Sequence, residues 1–166
     1  MTSALYLGRF EDEGAIRTGR RPVTGAPANI SGIDSLSAAA TPLRIFLVED
    51  STTVRDLLTE YLQDVPHVSV IGAAESEASA VNCLLHLPCD VVIVDIKLRE
   101  GSGMGVLRAL QERHSAEPDA MIRIIFSNYT EQEYRKLAEE LGALRFFDKS
   151  SDLILLLGYI RQLAKR

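Results

Sequence analysis

The chain has 166 residues, 46% hydrophobic and 25% charged, which suits one domain with a substantial core plus some additional sequence. Its net charge is -5 and its basic residues are scattered, which argues against a cationic nucleic-acid face. The longest apolar run, Leu153 to Leu157, is too short to span a bilayer, and no early segment has the charged head and apolar stretch of a signal peptide, so the cytoplasm is the expected location.

Residues 1–41 hold Gly8, Gly14, Gly19, Gly25, Gly32, Pro22 and Pro27 with Ser and Ala tracts and no sustained apolar periodicity. They read as a disordered or weakly ordered N-terminal extension to a domain over residues 42–166. From Leu43 the texture changes to a regular alternation. Short runs rich in β-branched or aromatic residues, at 43–49, 68–74, 90–95, 121–127 and 143–148, predict strands.

Segments with helical spacing lie between them. Val54, Leu57, Leu58, Tyr61 and Leu62 mark the first, and Ala78, Val81, Leu84 and Leu85 the second. Met104, Leu107 and Leu110 mark the third, Tyr134, Leu137 and Leu141 the fourth, and a fifth runs from Ser151 to the end. Gly142 is placed as a helix C-terminal glycine, Pro66 and Pro88 sit in connections, and Thr130 is the expected cap of the fourth helix. Five βα units predict a doubly wound, five-stranded parallel sheet with helices on both faces.

Ligands of such sheets bind beyond the carboxyl ends of the strands. The first strand ends in Glu49 and Asp50, the third in Asp95 and the fourth in Ser127, and Lys149 directly follows the fifth. Neighbouring carboxylates repel, and a hard divalent ion removes the conflict; Mg²⁺ takes one or two carboxylates, waters and a phosphate oxygen. Lys149 would then act as a point charge for that phosphate and Ser127 as a hydroxyl donor, leaving Asp95 as a nucleophile able to form an acyl phosphate. Read singly, Asp95 is a strand-end carboxylate, Lys149 a surface lysine and Ser127 a turn cap.

The constellation resembles the receiver domain of bacterial two-component response regulators over residues 43–164. The motifs are Glu49-Asp50 after "RIFLV", Asp95 closing "DVVIVD", Gly103 eight residues beyond it, Ser127 closing "RIIFS", and "FFDKS" carrying Lys149. The resemblance implies the (βα)5 flavodoxin-like receiver fold, with Asp95 accepting a phosphoryl group from a histidine kinase or histidine phosphotransfer protein. It implies Mg²⁺ held by Asp50, Asp95, the backbone carbonyl of Lys97 and Glu49, and Ser127 and Phe146 as switch residues. The family often has a proline after the lysine where Ser150 stands, a tyrosine in place of Phe146, and a proline where Arg99 stands. Lys97 and Tyr129 occupy positions where receivers vary.

The expected role is a signalling switch with a protein output, not an enzyme, and the chain's end at Arg166 leaves no room for a DNA-binding output domain. Two other readings compete. A haloacid-dehalogenase-type phosphatase shares the strand-end Asp nucleophile, but Lys97 stands where its general acid would be. A constitutive receiver-fold binding module would have a broken acidic site, and this one is complete. Leu153, Leu156, Leu157, Ile160 and Leu163 give the last helix one apolar face, leaving Ile154, Leu155 and Tyr159 as either a partner surface or part of a broad buried face. Cys83 and Cys89 form no CxxC pair and read as reduced thiols, and His67, His86 and His114 are isolated from the acidic edge.

Overall fold

The computed structural model describes residues 41–113 and 121–165. The expectations for the N-terminal 40 residues and for His114 lie outside the described residues. Within them the order is β1 (Leu43–Val48), α1 (Thr52–Gln63), β2 (Val68–Ala74), α2 (Glu77–Leu84), β3 (Val91–Val94), α3 (Gly103–Arg113), β4 (Ile122–Ser127), α4 (Gln132–Glu140), β5 (Ala143–Asp148) and α5 (Leu153–Leu163). All strand pairings are parallel, in the order β2-β1-β3-β4-β5.

The strand period of two sorts side chains into two cores. Phe46, Val48, Val92, Val94 and Ile125 face α2, α3 and α4, packing on Ala80, Leu84, Leu107, Leu110 and Ala138. Ile45, Leu47, Val91, Ile93, Ile124 and Phe126 face Leu58, Leu62, Leu156, Ile160 and Leu163 of α1 and α5. Every residue of β3 is buried, which is why its sequence is continuously apolar instead of alternating. Each such side chain removed from water contributes on the order of 1.5–3 kcal/mol.

Beyond β1 and β3 the chain turns to opposite faces, since β2 flanks β1 on one side and β3 on the other. A crevice opens at that reversal, outside the carboxyl ends of these two strands. Ser51 caps α1, accepting from the Val54 amide at 3.4 Å, and so starts a helix directly after the Glu49-Asp50 pair. Gly142 follows α4 with φ +83°.

Some details differ from the sequence reading. The residue at the start of α4 is Glu131, without a side-chain cap, and Thr130 instead offers its carbonyl to Arg135 Nε at 3.1 Å. A hydroxyl two positions before the helix is too early to reach its free amides. Within α2 the buried residues are Ala80 and Leu84, whereas Ala78 is exposed. The two alanines carry no hydrophobic contrast from which to phase so short a helix. Leu57 and Tyr61 on α1 are exposed too. Arg123 is buried in β4, its Nη1 donating to the Leu141 carbonyl at 3.0 Å.

Candidate functional site

β1 delivers Glu49 to the sheet edge, where its amide donates to the Ala74 carbonyl at 2.9 Å, and β3 delivers Asp95, whose amide donates to Val48 at 2.9 Å. The two ladders therefore hold both backbones as continuations of the sheet. Ser127, at the end of β4, is fully buried and donates its hydroxyl to Asp95 Oδ1 at 2.6 Å. Lys149 is placed by its amide, which donates to the Ser127 carbonyl at 3.2 Å.

Lys149 Nζ lies 2.6 Å from Asp95 Oδ2 and 2.5 Å from Glu49 Oε2, so one ammonium bridges two carboxylates. Glu49 is 3% exposed, and burial pushes its carboxyl above the ordinary range against the pull of Lys149. Oε1 of the same residue accepts from the Ser51 amide at 3.1 Å. Asp50 is half-buried, and its carboxylate joins no cation among the described residues. Carboxylate oxygens of Glu49, Asp50 and Asp95 lie within 4.8 Å of one another. Three hard oxygen donors against one lysine suit a small divalent cation of the Mg²⁺ class.

The structure gathers Glu49, Asp50, Asp95, Ser127 and Lys149 at one crevice. Lys97 follows on the loop after β3: its amide donates to Asp95 Oδ1 at 3.4 Å and its ammonium stands 5.4 Å from the Tyr129 ring centroid. The neighbouring Tyr129 side chain holds the Lys97 ammonium above its usual pKa. Phe146 is set apart from the carboxylates. It is half-buried against the core beneath α4, with the Arg135 guanidinium 4.3 Å above its ring.

Ser150, where the resemblance would put a proline, forms its own turn. Both its amide (2.8 Å) and its hydroxyl (2.6 Å) donate to Asp148 Oδ1, holding that carboxyl below the usual range. The Asp148 amide donates in turn to Asp152 Oδ2 at 3.0 Å. These local bonds keep the loop behind Lys149 in shape without a rigid ring.

Sequence reasoning missed Arg55. Its Nη1 donates to the Glu49 carbonyl at 3.2 Å and pairs with Glu75 Oε1 at 3.1 Å, tying the ends of β1 and β2 together. Its position in the first turn after the acidic pair was the available signal.

Residues 45–161 match the family model described as the response regulator receiver domain. The chain belongs to this family. Among curated relatives, a protein-glutamate methylesterase/protein-glutamine glutaminase of Symbiobacterium thermophilum is 35% identical over 113 residues, covering 68% of this chain and 30% of that protein. A protein of the same description from Koribacter versatilis is 32% identical over 114 residues, with the same coverage of 68% and 30%. The receiver chain thus spans less than a third of the length of these relatives.

Solved structures agree on the fold. The response regulator domain of Thermotoga maritima CheB superposes with a TM-score of 0.65 at 24% identity, covering 75% of this chain and 98% of that one. A two-component response regulator of the LuxR family from Aurantimonas gives 0.67 at 24% identity, covering 75% and 86%. No helix among the described residues is long and apolar enough to cross a membrane.

Proposed function

We propose that this receiver is a phosphorylatable switch of a two-component relay, taking a phosphoryl group onto Asp95 from a phosphohistidine of a sensor kinase or phosphotransfer protein. One observation carries the reading: the Asp95 carboxylate, fixed at the end of a buried strand, is held 2.6 Å from Lys149 and among the carboxylates of Glu49 and Asp50. Glu49, Asp50, Asp95 and the Lys97 carbonyl are the residues that would hold Mg²⁺, which when bound supplies positive charge against the phosphoryl oxygens.

An Asp95 carboxylate oxygen attacks phosphorus, the phosphorus–nitrogen bond of the donor breaks with its electron pair going to nitrogen, and neutral imidazole leaves with the proton already on its other ring nitrogen, giving an acyl phosphate. Lys149 passes from the Asp95 carboxylate to the incoming phosphoryl oxygens, so its charge is in place before the reaction. The Ser127 hydroxyl, now on Asp95 Oδ1, turns to a phosphoryl oxygen, and this differential contact is what shifts the population. Movement of Ser127 frees space toward which the Phe146 ring swings, leaving the Arg135 guanidinium at a cost of about 0.5–1 kcal/mol.

The output is protein binding at the face of α4, β5 and α5, where Leu144, Ile154 and Leu155 are exposed. The esterase and glutaminase activities named for the longer relatives are not carried over, because the match spans 30% of their length. A cytoplasmic location suits the two free thiols, and the acidic charge balance speaks against nucleic acid as the partner.

Incubation with acetyl phosphate and Mg²⁺, followed by intact-mass measurement, tests the reading. The wild-type chain should gain one phosphoryl group and Asp95→Asn none. A gain that persists in Asp95→Asn removes Asp95 from the role. Absence of any gain, together with silence toward beryllofluoride, returns the chain to a constitutive binding module, and steady turnover of phosphate esters returns it to a phosphatase.

A further inference from the structure

The loop between β3 and α3 has its partner in an unexpected place, the first residue of α2. Glu77 Oε2 accepts from the Ser102 amide at 2.8 Å, and the Glu77 amide donates to the Glu100 carbonyl at 3.1 Å. A parallel bridge between Ser76 and Glu100 extends the same seam. Two glycines make room for this side chain. A Cβ on Gly101, which sits at φ +79°, would overlap Glu77 Cβ, and a Cβ on Gly105 would overlap the Glu77 carboxylate itself.

The clamped segment is also tied to the loop that follows Asp95. An antiparallel bridge pairs Ser102 with Lys97, and the Gly103 amide donates to the Ile96 carbonyl at 2.8 Å. Where Glu77 holds Ser102, it therefore sets Lys97, whose amide reaches Asp95 Oδ1. We infer that Glu77 is a positioning residue: from α2 it fixes the loop after β3 so that the Lys97 carbonyl and the Asp95 carboxylate stand ready for a divalent cation.

This rests on the reading of the site as a Mg²⁺-dependent phosphoryl acceptor. A carboxylate that accepts a backbone hydrogen bond is stronger than a neutral acceptor, and outer partners of this kind tune metal affinity by about 10–100-fold. Glu77→Gln retains an acceptor oxygen for the Ser102 amide, whereas Glu77→Ala removes it. Gly105→Ala attacks the clamp from the other side and is tolerated only when the carboxylate is gone.

The test is a Mg²⁺ titration followed by backbone amide resonances, with amide exchange of Ser102 measured in the absence of metal. Glu77→Ala and Gly105→Ala should each weaken Mg²⁺ binding about tenfold and speed Ser102 exchange about tenfold. Glu77→Gln should stay within about threefold of wild type for Mg²⁺, and Gly105→Ala should cost nothing further in the Glu77→Ala background. Wild-type Mg²⁺ affinity in both single variants, or additive losses in the double variant, overturns the inference. Should Glu77→Ala fail to fold, Gly105→Ala against Glu77→Gln carries the same comparison. If the wild-type chain itself binds no Mg²⁺, the proposed function falls, and Ser102 exchange alone then decides whether Glu77 holds the loop.

Discussion

Lys149 stands between two carboxylates that come from different strands and would otherwise repel. Its side chain is 12% exposed, so water screens the three charges little and their pairing is stronger than at a surface. Lys149→Met strands Glu49 and Asp95 without a cation and should cost about 3 kcal/mol in urea unfolding. Added Mg²⁺ should restore part of that loss, a recovery that Asp50→Ala should abolish. Cys89 offers a second residue-scale prediction. Burial pushes its thiol up to about 11, so on raising the pH the unfolded chain, with an ordinary thiol near about 8.5, ionises first. Stability present below about pH 8.5 is then lost progressively as the pH climbs toward 11, and Cys89→Val should flatten that decline in denaturation curves taken across the alkaline range.

Among elements, α5 carries the sharpest contrast. Leu156 is fully buried under the sheet, while Ile154 two positions earlier is 81% exposed. Leu156→Ala should cost about 2–5 kcal/mol by leaving a cavity, and Ile154→Ala should stay within about 0.5 kcal/mol of wild type, both read from thermal or urea unfolding. This helix also shows where sequence is legible and where it is not. Its spacing marked Leu156, Ile160 and Leu163 as a buried face, because apolar residues recurring at helical period line up on one side of the helix and are driven out of water together. The fate of the surplus residues depended on neighbours: Tyr159 leans on Phe147, with ring centroids 6.1 Å apart, whereas Ile154 and Leu155 stay exposed. The gathering of Glu49, Asp95, Ser127 and Lys149 was readable because parallel strands all end at one edge. Arg135 over Phe146, and Glu77 under Ser102, were not readable, because each contact joins two elements through a side-chain direction that no periodicity encodes.

For the whole molecule, the ion pair between Lys149 and Glu49 has a consequence beyond electrostatics. The two residues are 100 positions apart, and Asp95 lies 54 positions from Lys149. The Glu49 pair needs β1, β3, β4 and β5 docked side by side and the Asp95 pair needs β3, β4 and β5, and the loop-closure entropy of such long-range pairings is lost before their contacts offset it. The complete acidic crevice thus requires β1, β3, β4 and β5 together, however much helix the chain contains. A phosphoryl donor of the kind proposed above would find no complete acceptor arranged for it in a chain that lacks one of these strands. On the proposed function, the finished sheet would then be a precondition for accepting a phosphoryl group, and the site would double as a check on folding.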